Sequence, residues 1–275
     1  MSPIRNTTRR GVLAGAAAVL GSRISAPSVL AGAAGKQEGL DGEFSRRGAT
    51  GTFTLLDLGS DRLTLANAPR AGARLVPAST FKIANSLIAL ETGAVRDERE
   101  TIPYGGKPQP FPQWEKDMTL GEAIKVSNVP VFQEVARRIG SKAYEVWLEK
   151  LDYGNGAVGS AVDRFWLDGP LKISATEQAG FLAALALSQL PMSQRSQGLV
   201  RDMLQLETRG TKHLYGKTGW LAATTPNIGW WVGWVSDAGK PTHTFALNID
   251  MAGADDLPKR LDIGRSLLGR LGVYS

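Results

Sequence analysis

The hydrophobic pattern of the chain changes period twice. Residues 51–79, GTFTLLDLGSDRLTLANAPRAGARLVPAS, carry two short runs of aliphatic and β-branched residues around Gly-Ser-Asp, which predicts a strand, a turn and a second strand. From Phe81 the apolar positions become Phe81, Ala84, Leu87, Ile88 and Leu90, and Gly93 stands where a helix would close. Ser79 or Thr80 is expected to cap this helix. Helical spacing continues through TLGEAIKVSNVPVFQEVARRIG, opened by Thr119-x-x-Glu122, and through SATEQAGFLAALALSQLP, opened by Ser174-x-x-Glu177. Both openings have the form of a capping box. Between them LDYGNGAVGSAVDRFWLDGPLKI, rich in glycine, predicts an irregular loop folded over something. Alternation returns in HLYGKTGWL, IGWWVGWVS and THTFALNIDM, followed by a last helix from about Pro258.

Strands at both chain ends and helices between them predict an α+β fold. An antiparallel sheet built from both ends, flanked by helices, would carry a mostly helical insertion. A ligand would sit in the cleft between the two parts.

Composition narrows the chemistry. Among 275 residues there is no cysteine, which removes disulfides, thiolate nucleophiles and cysteine-ligated metals. The two histidines, His213 and His243, lie in no metal-binding pattern and are expected to be structural, so no metal site is predicted. The net charge of +6 would suit a nucleic-acid partner, but Arg5, Arg9, Arg10 and Arg23 supply much of it. Residues 1–33 contain those arginines, no acid, a short apolar stretch and small residues at the end. That is the layout of an export signal, and Arg9-Arg10 followed by Gly11, Val12 and Leu13 is similar to a twin-arginine signal. Cleavage after Ala33 would leave residues 34–275 as a single, nearly neutral catalytic domain, periplasmic or secreted. No nucleic-acid partner and no stable membrane anchor are expected.

The stretch PASTFKIAN at 77–85 asks for a chemical explanation. A lysine in the first turn faces the positive end of the helix dipole and is mildly disfavoured. On a helix, however, Ser79 and Lys82 share a face, and an amine held neutral beside a hydroxyl is a base beside a nucleophile.

Four short stretches fall in order along the chain: STFK at 79–82, SNV at 127–129, YGN at 153–155 and KTG at 217–219. With FWLDGPLKIS and GWWVGWV beside them, they resemble the penicillin-recognising serine hydrolases, and most specifically the class D β-lactamases, or oxacillinases. The resemblance runs from about Thr52 to the final helix. It implies the β-lactamase/transpeptidase-like fold and β-lactam antibiotics as substrates. It also implies Ser79 as nucleophile, Ser127 as a proton relay to Lys217, and an oxyanion hole from the backbone N–H groups of Ser79 and Trp220. Lys217 and Thr218 would bind the substrate carboxylate from one side and Arg260 from the other, with Gly219 also among the substrate-binding residues. Val129 and Leu167 would form an apolar lid over Lys82, which in this family carries a carboxyl group taken from carbon dioxide or bicarbonate. Trp166 would hold that N6-carboxylysine. Tyr153, Gly154 and Asn155 would shape the loop, and the resemblance leaves Asn128 free to vary. The SNV triplet and a loop that offers Asp163 and Asp168 but no glutamate point away from class A enzymes. A β-lactam sensor domain would follow transmembrane helices, and a D,D-peptidase would not need Trp166 over the lysine.

Overall fold

A computed structural model describes residues 39–275; the expected export segment, residues 1–33, lies outside the described residues. Helix α1 (Asp41–Arg46) leads into β1 (Gly51–Asp57) and β2 (Arg62–Ala66). The short α2 (Ala68–Ala71) precedes a 3-10 turn, Ala78–Phe81, that runs directly into α3 (Lys82–Thr92). Two two-residue strands, β3 (Thr101–Ile102) and β4 (Met118–Thr119), pair at the base of a long loop before α4 (Leu120–Lys125), α5 (Val129–Ile139) and α6 (Ser141–Lys150). The irregular loop then leads to α7 (Ala175–Ala186) and α8 (Gln194–Met203). Strands β5 (Gln205–Arg209), β6 (Lys212–Leu221), β7 (Asn227–Asp237) and β8 (Lys240–Met251) and the helix α9 (Leu257–Arg270) complete the chain.

The main sheet has the order β2-β1-β8-β7-β6-β5, every neighbour antiparallel, so the first and last parts of the chain meet where β1 pairs with β8. This is the expected α+β architecture. Side chains of β7 alternate between two cores: Trp230, Val232 and Trp234 face the helical insertion, while Trp231 and Val235 face α1 and α9. Burial on both faces explains why this strand reads as an almost continuous apolar run.

Local signals hold where the chain itself satisfies them. Both capping boxes form, Thr119 with Glu122 and Ser174 with Glu177, and Gly93 closes α3 in the left-handed conformation at φ 73°. Two expectations fail. Neither Ser79 nor Thr80 caps a helix, because both lie inside the 3-10 turn, where the Thr80 hydroxyl donates to Pro77 O at 2.8 Å. The helical stretch from Thr119 to Gly140 is broken between α4 and α5, where Ser127 takes φ 59° and Asn128 starts a new helix. No sequence signal had marked β5.

Candidate active site

The 3-10 turn explains the spacing of STFK. With three residues per turn, positions i and i+3 lie directly above one another, and Lys82 Nζ donates to Ser79 Oγ at 2.8 Å. Ser79 is half-buried, whereas Lys82 has no exposed surface. Burial, and then the charge of Lys217, push the Lys82 amine well below the usual lysine range. No carboxylate among the described residues pairs with it, and the nearest aromatic face is that of Phe132, 5.3 Å from Nζ to the ring centroid.

The second motif supplies a hydroxyl on a strained backbone. Ser127 is held in the left-handed region by its neighbour: the side chain of Asn128 accepts from Val131 N at 3.0 Å as the cap of α5 and donates to Trp114 O at 3.2 Å. From there Ser127 Oγ accepts from Lys217 Nζ at 3.0 Å. Lys217 also donates to Thr218 O at 3.0 Å. Burial and the charge of Arg260 lower the Lys217 amine to about 7.

Strand β6 runs past the Ser79 turn with one edge open. Its pairing with β5 ends at Tyr215, where Gly216 N–H still reaches Leu204 O at 2.9 Å. Alternate peptide groups of an antiparallel strand point to the same edge, so the N–H of Trp220, like that of Gly216, turns to the uncovered side. Two glycines make the crowding possible. A Cβ at Gly219 would lie 3.0 Å from Pro77 O, and one at Gly229 would lie 2.7 Å from Arg260 Cδ. Arg260 uses that space to donate to Gly219 O at 2.7 Å and Leu257 O at 2.9 Å. It is not a solvated arginine: it is 9% exposed, and burial alone lowers it to about 10. Strand alternation sends Lys217 toward the insertion, whereas Trp220 packs on the α9 side and Thr218 shares its orientation. Trp220 Nε1 is held by Asn227 Oδ1 at 3.1 Å.

The loop of residues 151–173 packs Tyr153, Phe165 and Trp166 against Phe81, the last residue of the Ser79 turn. Asn155 ties it together by donating to Pro170 O at 2.9 Å and accepting from Lys172 N at 2.9 Å, the architectural part expected of YGN. Trp166 is fully buried, and its Nε1–H has no partner among the described residues. Its ring lies 5.6 Å from that of Phe81, whose ring also meets Tyr144, Tyr153 and Phe165 at 5.1–6.0 Å between centroids. Leu167 is half-buried against the same core, and Val129 is the half-buried first residue of α5.

The structure therefore joins Ser79 to Lys82 and Ser127 to Lys217, and brings Arg260 to the β6 backbone. The ring that does lie over Lys82 belongs to a residue that sequence reasoning passed over, Phe132, one helical turn after Val129. It also passed over Asn128 and Phe81, although an asparagine two positions before proline at a helix start is an N-cap signal. The histidines stand elsewhere: His213 meets Thr208 at 3.0 Å, and His243 faces Asp57 across β8 and β1.

A family model of the penicillin binding protein transpeptidase domain matches residues 51–269. Beta-lactamase OXA-5 of Pseudomonas aeruginosa is 42% identical over 234 residues, covering 84% of this chain and 87% of that protein. Beta-lactamase OXA-48 of Klebsiella pneumoniae is 43% identical over 202 residues, with 74% and 76% of the two chains covered. Among solved structures, FUS-1 (OXA-85), a class D beta-lactamase from Fusobacterium nucleatum subsp. polymorphum, superposes with a TM-score of 0.84 at 40% identity, covering 88% of this chain and all of that one. With similarity extending over most of its length, the chain belongs to the penicillin-binding transpeptidase-domain family and, within it, to the class D β-lactamases.

Proposed function

We propose that this protein hydrolyses the β-lactam ring of penicillin-type antibiotics through an ester on Ser79, and so confers resistance. The observation that carries the reading is the 2.8 Å contact between Ser79 Oγ and a fully buried Lys82 amine. A buried neutral amine takes the hydroxyl proton as Oγ attacks the lactam carbonyl carbon. The carbonyl oxygen, gaining charge, is met by the N–H groups of Ser79 and Trp220, the second on the open edge of β6. When the carbon–nitrogen bond breaks, the nitrogen takes a proton from Ser127 Oγ, which Lys217 replenishes. Arg260, Thr218 and Lys217 meet the substrate carboxylate where the open edge of β6 ends. Water then attacks the ester, and the opened product leaves with its new carboxyl group.

Carboxylation of Lys82 by carbon dioxide or bicarbonate belongs to the same proposal. The residues fit it: burial pushes the amine well below the ordinary lysine range, no carboxylate among the described residues pairs with it, and Trp166 has a buried donor without a partner. Such a group would supply an anionic base beside Ser79 for both halves of the reaction. Export through the segment 1–33 would put the enzyme in the periplasm or outside the cell. No helix among the described residues is long and apolar enough to cross a membrane.

The test is turnover of benzylpenicillin by the purified protein, with intact-mass spectrometry of the Ser79→Ala variant. Turnover by wild type and no penicilloyl adduct on the variant are expected. An adduct formed on Ser79→Ala at the wild-type rate would move the nucleophile elsewhere.

A further inference from the structure

Ser79 follows a residue in an unfavourable conformation. Ala78 has φ 48°, in the left-handed region that residues other than glycine enter only under constraint. The constraint is a chain of buried hydrogen bonds: Thr80 N–H and Thr80 Oγ1 both donate to Pro77 O, at 3.2 and 2.8 Å, and Thr80 Oγ1 accepts from Gln178 Nε2 at 2.8 Å. Thr80 is 1% exposed and Gln178 not at all.

We propose that Gln178 is a positioning residue for Ser79, holding the nucleophile turn through Thr80 so that Oγ faces Lys82; this rests on the acyl-transfer reading above. An amide is a costly residue to bury here, because Gln178 Oε1 has no hydrogen-bond partner among the described residues. A leucine or methionine would fill the same space without that cost. The amide gives what an apolar side chain cannot, a donor aimed at the one hydroxyl that bonds Pro77 O. Its base is rigid: Gln178 lies in the first turns of α7, which is capped by Ser174 and Glu177 and fastened to the sheet by Thr244 Oγ1 donating to Ala179 O at 2.8 Å. Tyr153 completes the pocket. Its ring lies between those of Phe81 and Phe181, at 5.5 and 5.0 Å, and its buried hydroxyl neighbours both Thr80 and Gln178. The turn, the YGN loop and α7 thus meet at a single buried polar point behind the nucleophile.

Pre-steady-state acylation by benzylpenicillin, measured beside thermal melting, separates positioning from mere stabilisation. Gln178→Met and Thr80→Val are each expected to slow acylation by about 10- to 100-fold, the effect of a small displacement of a reacting group, without changing the affinity of the preceding complex. The double variant should be no slower than the worse single one, since both break one link. Thr80→Ser, which keeps the hydroxyl, should acylate like wild type, and bicarbonate should restore nothing. Wild-type acylation rates in Gln178→Met and Thr80→Val, whatever their melting temperatures, would overturn the proposal. Recovery on adding bicarbonate would also overturn it, by placing the defect on Lys82. If Gln178→Met does not fold, Thr80→Val against Thr80→Ser decides the same question. A wild-type protein that forms no adduct would instead sink the acyl-transfer reading itself.

Discussion

Lys217 Nζ lies 3.0 Å from Ser127 Oγ, although 90 positions of chain separate the two residues. The lysine comes from the middle of a strand and the serine from a break between two helices, so the contact exists only because the insertion docks on the sheet. Ser127→Gly is the informative substitution, since glycine accepts the left-handed backbone at this site without strain and removes only the hydroxyl. Loss of the proton relay should lower the acylation rate by about 10²-fold or more. An acylation rate equal to that of wild type would mean that Lys217 or water delivers the proton unaided.

Arg260→Ala should act mainly on KM, because a carboxylate clamp binds ground and transition states alike. A charge-assisted hydrogen bond is worth roughly 1.5–3 kcal/mol, so kcat/KM should fall by about one to two orders of magnitude. The variant also leaves Gly219 O without this donor. Steady-state kinetics of benzylpenicillin with KM unchanged would assign Arg260 to holding the β6 backbone alone.

Trp166→Phe keeps an aromatic ring in the core and removes the unpartnered N–H. It should weaken the carboxylated state of Lys82, so that acyl-enzyme accumulates and activity responds to added bicarbonate more strongly than in wild type. Carbon-13 NMR with labelled bicarbonate reads the group directly. A wild-type enzyme that turns over fully with no carbamate signal would rule out this base.

The Lys82 amine also makes a prediction about stability. Burial lowers its folded pKa below the ordinary 10.5, so the unfolded chain binds a proton that the folded chain lacks. Stability therefore rises with pH between the lowered value and 10.5, and below 10.5 the cost of burying the amine is present. Lys82→Met, close in volume, removes that cost and should melt higher than wild type in bicarbonate-free buffer at pH 7, by about 2–4 °C per kcal/mol relieved. The difference should shrink as pH approaches 10.5. A variant melting below wild type at pH 7 would show that the amine stabilises the fold.

Ser79, Lys82, Ser127 and Lys217, which the structure joins in two pairs, were legible because they sit in short motifs whose order along the chain is itself informative. STFK, SNV and KTG each place their groups within one turn or one strand, where local geometry does the work. The capping boxes at Thr119 and Ser174 and the closing Gly93 were legible for the same reason: each bond joins residues a few positions apart. The break at Ser127 was overlooked, since Val126 to Val131 continue an apolar spacing that a single helix could carry, although Asn128 before Pro130 is a local start signal. What ends that helix is Asn128, whose donor reaches Trp114 O, 14 residues away.

By itself the sequence determined five of the six strands of the main sheet, the helices that carry the motifs and the absence of thiol chemistry, because these follow from residue type and spacing. Only the tertiary structure decided the state of those residues. Lys82 is a depressed amine because it is buried, with Phe132 of α5 at its Nζ and the Lys217 charge of β6 nearby. Arg260 is a buried group rather than a surface one because Gly229 leaves it room. Ser79 faces Lys82 because a turn strained at Ala78 is held from Pro77, Gly219 and Gln178. Desolvation, close approach and strain are properties of what lies next to a residue in space, and no local pattern encodes neighbours 100 positions away.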